Sequence, residues 1–251
     1  MLEHIVSLER LYNSIGKINN ITEFNAALPI IIKVLSKIKS GEYLLKIGNT
    51  TIETKSQKDL LSGQRYWANM SRNAAGAIVL SNLTHLPKMF EMIEKSPLKL
   101  NLKDLEKILK NSQTDGLREY RDFLLDKLSD AQNKYEFLNL GNLLFSLHKG
   151  VISFVISHKY HEAFVQIKPS KIKKQSLDFY AIYSNLGSIK GKIYLSDKGM
   201  GANIYVLYES VKKILETNKD ILKGFFSINI SKIEKIDPLF EFEESLLDIK
   251  G

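Results

Sequence analysis

The clearest pattern of hydrophobic and polar positions lies in the last quarter of the chain. Along residues 186–195, apolar or glycine positions alternate with polar ones, which is the period of a strand with one solvated face. Residues 203–208 and 226–233 favour strands as well, and residues 209–222 between them carry an apolar stripe at helical spacing. The side chains of this stripe are Val211, Ile214, Leu215, Ile221 and Leu222. We expect the helix to cover one face of the sheet.

Three further strands are predicted before this region, over residues 151–157, 162–167 and 177–184. Together these segments predict a second domain, residues 150–251, that is a mostly antiparallel sheet with one packed helix. The change of composition at Gly150 marks its expected beginning.

The first part of the chain gives a different pattern. Residues 22–38 carry a broad apolar face that predicts a helix, with Pro29 near its start. Four short alternating segments follow within about residues 41–82, which is typical of a small β-barrel of the OB or SH3 type. Residues 83–147 are again helical in period. The predicted fold class is therefore α+β: N-terminal helices with a small barrel-like insert in a domain of residues 1–149, then the sheet domain.

Composition narrows the function classes. The chain has 251 residues, no cysteine, a net charge of +8 and a pI near 9.3. The absence of cysteine excludes disulfides and thiolate metal sites. The excess of lysine permits contact with acidic partners, and it is also common on ordinary solvated surfaces. No signal peptide and no apolar run long enough to span a membrane is visible, so we expect a cytoplasmic protein without membrane insertion.

No catalytic motif is apparent in the sequence. The glycines of Gly199-Met200-Gly201 precede a strand rather than a helix, so we interpret them as a hairpin turn and not as a phosphate-binding loop. His158 and His161 lack a third ligand for a shared metal. We therefore expect a protein that is not an enzyme and that needs neither a cofactor nor a metal.

One alternative is a single-stranded nucleic-acid-binding protein. A basic hairpin next to aromatic strands, and an arginine–tryptophan pair in the predicted barrel, have the chemistry of base stacking and phosphate contact. The residues concerned are Arg65, Trp67, Lys168, Lys171, Lys173 and Lys174. A solvated hairpin and a buried tryptophan explain the same residues, and tryptophan is more often an anchor in a core.

The segment from Leu186-Gly187 onward also resembles a known family. A Leu-Gly pair opens an alternating strand through Ile189, Ile193 and Leu195, followed by a second strand, a leucine-bearing helix and a closing strand near residues 226–233. This order is similar to the C-terminal domain of flagellar hook-length control proteins. The chain departs from that family in lacking its Gln- and Pro-rich region, and residues 183–185 lack the proline common before Leu-Gly.

The resemblance implies a non-enzymatic protein-binding role in flagellar type III export, in hook-length control or export substrate switching. The implied partner is the cytoplasmic domain of the export switch protein. The resemblance also suggests that the protein itself is exported through the flagellar apparatus. The expected partner-binding residues are Leu186, Gly187, Lys190, Lys192 and Tyr194.

Overall fold

The fold is mostly β, with two sheets that together contain twelve strands, and with four α-helices in the part of the chain that is described. The computed structural model describes residues 28–56, 58–72, 78–101, 103–104, 116–158, 161–169 and 176–242. The predicted class, N-terminal helices with a barrel insert, is therefore wrong. Part of the predicted N-terminal helix lies outside the described residues, and the part inside them is a strand.

The first sheet has five antiparallel strands in the order β3-β2-β1-β4-β5. Its strands are β1 (Ile30–Lys39), β2 (Glu42–Ile47), β3 (Thr50–Lys55), β4 (Arg65–Arg72) and β5 (Ile78–His85). The predicted barrel does not close, because β3 and β5 are the two edges of this sheet and do not pair with each other.

Strand β1 replaces the predicted helix for a physical reason. Residues 30–34 are rich in β-branched side chains, which pack well on a pleated surface and lose rotamer freedom in a helix. Ile32 and Val34 are fully buried while Lys33 between them is exposed, so the true period is two. The small core beneath this face also contains Tyr43, Leu45 and Ala68.

A mainly helical segment connects the two sheets. It contains a 3-10 turn (Lys88–Phe90), α1 (Glu91–Lys95), α2 (Gly116–Ser129) and α3 (Lys134–His148), with the short strand β6 (Lys99–Leu100) of the second sheet between α1 and α2. The Asn133 side chain caps α3 by accepting a hydrogen bond from the Glu136 N–H at 2.9 Å, while Glu136 accepts one from the Gln132 N–H at 2.8 Å. Buried Tyr120 of α2 donates to the Ser153 carbonyl at 2.8 Å and so ties the helices to the second sheet.

The second sheet has seven strands in the order β12-β11-β10-β9-β8-β7-β6. Its further elements are β7 (Ile152–His158), β8 (His161–Pro169), β9 (Ser176–Tyr183), β10 (Gly187–Ser196), β11 (Gly199–Val206), α4 (Glu209–Thr217), a 3-10 turn (Lys219–Ile221) and β12 (Phe225–Lys232). The pairs from β7 to β11 are antiparallel, as the alternation predicts, but β6 and β12 pair in parallel with their neighbours. A helical crossover between β11 and β12 returns the chain in the same direction.

Helix α4 covers the sheet as expected. Val211 and Leu215 are buried in the same core as Ile204, Val206 and Ile230, and Ile214 packs against that core. The division into domains at residues 149 and 150 stays a prediction, although β6 from the first segment pairs with β7 of the second.

The two sheets meet at Trp67. Strand β4 is buried on both sides: Tyr66 and Ala68 point into the small core, whereas Trp67 points into the larger one, which includes the second sheet. The indole N–H of Trp67 donates to the Ser184 carbonyl at 3.0 Å. Its ring lies edge-on to Phe90, with the centroids 5.9 Å apart.

Gly187 lies on the other side of this junction. Its φ of +77° is one that L side chains rarely adopt, and a Cβ built there would lie 3.1 Å from the Tyr208 ring and 4.0 Å from the Trp67 ring. The junction therefore requires a glycine for both its backbone conformation and its close packing.

The junction can be tested with a matched pair of substitutions. Gly187→Ala should lower the free energy of unfolding by more than Gly63→Ala, whose φ of +85° is similar but whose Cβ would meet no atom within 4 Å. Positive φ costs both variants about 1–3 kcal/mol, and crowding of Tyr208 adds about 1 kcal/mol or more only at Gly187. Urea unfolding followed by the emission of Trp67, the single tryptophan, measures both. Equal losses of unfolding free energy in the two variants would contradict the close packing of Gly187 against Tyr208.

Alkaline stability gives a second test. Burial raises the pKa of Tyr208 to about 12. The unfolded chain releases this proton near pH 10 while the folded chain keeps it, so the stabilisation is complete below pH 10 and decreases between pH 10 and about 12. The Tyr208→Phe variant should lose stability less steeply over this range in urea unfolding. A slope identical to that of the wild type would refute the assignment.

Candidate functional site

The second sheet has one polar face that solvent reaches on strands β10 to β12. The register places Lys190 beside Tyr205, and Lys192 beside Asn203, which in turn lies beside Asn229 of β12. Adjacent paired residues project on the same side of a sheet. We call this surface the open face and define it by Lys190, Lys192, Tyr194, Asn203, Tyr205 and Asn229.

Hydrogen bonds and ion pairs hold the side chains of the open face in place. The Asn229 side-chain N–H donates to the Asn203 side-chain oxygen at 3.1 Å. The Lys192 ammonium lies 3.6 Å from the Asp178 carboxylate of β9. An exposed pair of this kind adds little stability by itself, but it fixes the position of the lysine. Tyr205 is 36% exposed, so its ring is available for contact.

Glycines allow Tyr194 to lie across the neighbouring strand. A Cβ on Gly201, the residue that pairs with Tyr194, would overlap the Tyr194 ring. The ring therefore occupies the space that any other side chain would fill, and its hydroxyl lies 3.4 Å from the Ser227 hydroxyl of β12. On the opposite face, Gly191 is filled in the same way by the Phe179 ring. Strands β10 and β11 do form a hairpin, but its turn is at residues 197–198, and Gly199-Met200-Gly201, which was predicted to be the turn, begins β11.

The predicted partner-binding residues divide into two groups. Lys190, Lys192 and Tyr194 lie together on the open face. Leu186 is only 2% exposed and Gly187 faces Tyr208 and Trp67, so both lie in the junction between the sheets, away from solvent.

The residues of the nucleic-acid alternative are not brought together. Trp67 is fully buried, and Arg65 is paired with Glu94 at 2.8 Å while its guanidinium lies 5.2 Å from the centre of the Phe90 ring. Lys168 of β8 lies opposite Asp178 of β9. Lys171, Lys173 and Lys174 lie outside the described residues.

Sequence reasoning missed several members of the open face. The alternation of Asn203 and Tyr205 with Ile204 and Val206 was a usable signal for β11. No sequence signal indicates that Asn229 lies beside Asn203, because that neighbour depends on a parallel register across a helical connection.

Two further observations bear on the class of site. Within the described ranges, no group of three or more histidine, aspartate or glutamate side chains is arranged to hold a metal ion. None of the helices that the structure describes is both long enough and apolar enough to cross a bilayer.

The fold defines the protein as a mostly β, two-sheet protein in which part of the second sheet has a polar surface open to solvent. Comparison of the chain with protein-family models, with curated proteins and with solved structures gave no match in any of the three.

The position of Tyr194 gives a test of this geometry. Protons attached to a carbon beneath an aromatic ring are shifted upfield, so the Hα resonances of Gly201 should be upfield in the wild type and should return towards ordinary values in Tyr194→Leu. Tyr205→Leu is the matched control, because Tyr205 pairs with Lys190 rather than with Gly201. Proton–carbon correlation spectra measure the shift. Unchanged Gly201 resonances in Tyr194→Leu would show that the ring lies elsewhere.

Proposed function

We propose that this protein is a non-enzymatic binding protein that holds a protein partner against the open face. The observation that carries the proposal is the arrangement of two tyrosines, two asparagines and two lysines on one solvent-facing sheet surface. Tyrosine and asparagine offer large contact area and adaptable hydrogen bonding, and they are typical of protein-recognition surfaces.

The fixed positions of these side chains favour binding. Asn203 and Asn229 are already bonded to each other, and Tyr194 is held over Gly201. Binding to side chains that are already ordered loses less conformational entropy than binding to mobile ones. The amide pair keeps further hydrogen-bonding groups for a partner, because each amide has two donors and an acceptor with two lone pairs.

The resemblance of residues 186–233 to hook-length control proteins supplies the setting of the proposal. On that basis the partner is the cytoplasmic domain of the flagellar export switch protein, and the role is in hook-length control or export substrate switching, from the cytoplasm. Leu186 and Gly187 then act indirectly: they fix β10 against the first sheet, and Lys190, Lys192 and Tyr194 on the same strand meet the partner.

A binding measurement on the full chain tests the proposal. Lys192→Glu and Tyr205→Ala should each weaken binding to the purified switch-protein domain by at least about tenfold, the effect of losing roughly 1.4 kcal/mol at an interface. Lys213→Glu on α4 makes the same charge change, and α4 packs on the side of Ile204 and Val206, opposite the open face, so its affinity should stay unchanged. Isothermal titration calorimetry measures all three.

Two outcomes would contradict the proposal in different ways. If the wild type does not bind the switch-protein domain, the flagellar setting fails. If it binds but Lys192→Glu and Tyr205→Ala bind equally well, the open face is not the contact surface.

The nucleic-acid hypothesis remains a separate prediction with a separate test. It requires affinity for a single-stranded oligonucleotide that decreases steeply with salt, because lysine–phosphate contacts release counterions. The burial of Trp67 removes one of the aromatic side chains on which it was based.

A further inference from the structure

The chain continues after β12 as an extended segment that crosses the second sheet. We call residues 233–242 the C-terminal strap. It begins where the Ile233 N–H donates to the Val206 carbonyl of β11 at 2.9 Å. It then passes Lys190 of β10, whose ammonium donates to the Asp237 carbonyl at 3.2 Å, and reaches β8 and α3.

A buried glutamine of β8 holds the far end of the strap by its main chain. The Gln166 side-chain N–H donates to the Phe240 carbonyl at 2.7 Å. The Gln166 side-chain oxygen accepts from the Leu239 N–H at 2.9 Å and from the Phe240 N–H at 3.2 Å. Gln166 is fully buried, and these contacts use both its donor and its acceptor. All three contacts go to main-chain atoms of the strap, so Gln166 recognises the backbone of the segment rather than its side chains.

Aromatic side chains flank the position of Gln166. The Phe240 ring lies edge-on to Phe145 of α3 with centroids 5.6 Å apart, and the Phe242 ring lies edge-on to Phe164 of β8 at 5.4 Å. Phe240 and Phe242 are two residues apart, with their centroids 5.9 Å from each other. The sheet and α3 thus form a groove that accepts an extended chain with two aromatic residues at this spacing.

The strap is attached in a way that allows it to leave without unfolding the sheet. Within the described part of the chain, the side chains of Gln166 and Lys190 provide its hydrogen bonds to the sheet beyond Ile233. No strand pairing is lost when it detaches. The strap packs Ile236, Leu239 and Phe242 against the main core, but it lies outside the strand ladder, and such segments open at a lower free energy than the paired strands beneath them.

We infer that the groove formed by Gln166, Phe145 and Phe164 is a peptide-binding site, occupied in this chain by its own strap. Its ligand is an extended segment of a partner protein with two aromatic residues two positions apart, as Phe240 and Phe242 are in the strap. Gln166 recognises the main chain, and the two rings provide the selectivity. This inference needs neither a partner on the open face nor the flagellar setting, although Lys190 at the border of the open face is one of the side chains that hold the strap.

Full-length variants and a synthetic peptide test it. The probe is a fluorescein-labelled peptide with the sequence of residues 235–242, and the binding protein is the full chain carrying Phe240→Ser and Phe242→Ser, which frees the groove. Fluorescence anisotropy should show binding to this variant that is at least about tenfold tighter than to the wild type, because the tethered strap competes at a high effective concentration. Adding Gln166→Ala to the freed variant should weaken its affinity for the peptide by at least about tenfold. A peptide with serine in place of both phenylalanines is the control ligand and should not bind.

Several results would overturn the inference. One is a freed variant with native circular dichroism and native Trp67 emission that does not bind the peptide. Another is binding that is insensitive to Gln166→Ala. A wild-type dimer that forms with increasing concentration in sedimentation, and that is lost in the freed variant, would mean that the groove takes the strap of a second copy instead.

Hydrogen exchange on the wild type keeps the test valid if the freed variant fails to fold. The amides of Leu239 and Phe240 should exchange much faster than those of β8 and β9, and the labelled peptide in excess should accelerate them further. Protection equal to that of the strands would contradict a detachable strap.

Discussion

The contact between the Trp67 indole and the backbone at residues 184–187 is the constraint on which the rest of the structure depends. It joins two sheets whose cores are largely separate, with Leu28 and Ile31 also reaching the larger core beside Trp67. The Tyr208 ring packs into the space that the missing side chain of Gly187 leaves, with the Trp67 ring in contact beside it, so the position of the first sheet is coupled to the start of β10. The same strand then carries Lys190, Lys192 and Tyr194 to the open face. Packing on one side of β10 and the proposed recognition surface on the other are thereby linked by a single strand.

Local pattern predicted the second sheet well. The alternation in β10, the hairpin at Ser196 and Gly199, and the stripe of Val211 and Leu215 on α4 all depend on neighbours close in sequence, and the structure contains each of them. The parallel direction of β12 was predictable in principle, since a strand followed by a helix returns in parallel. The N-terminal prediction was wrong because an apolar run such as residues 30–34 fits either period when it is short.

The parts that could not be predicted depend on contacts distant in sequence. Trp67 and Ser184 are 117 positions apart, so nothing near Leu186 and Gly187 indicated that another sheet would cover them. The same holds for Gln166, whose hydrogen bonds go to residues more than seventy positions later. The prediction that Lys190, Lys192 and Tyr194 share one face of β10 was correct, because the two-residue period of a strand alone decides which side chains share a face. The family resemblance described the segment around Leu186-Gly187 by its spacing, and spacing carries no information about what packs above it.

The most direct measurement of the central claim is the nuclear magnetic resonance signal of the Trp67 indole N–H in the full chain. This resonance is unambiguous because the chain has one tryptophan. We expect slow exchange with solvent, because the indole N–H is hydrogen-bonded to the Ser184 carbonyl, together with nuclear Overhauser effects to the Hα protons of Gly187 and to the ring of Tyr208. A rapidly exchanging indole without these effects would show that the sheets do not meet at this contact, and the coupling of the junction to the open face would then be lost.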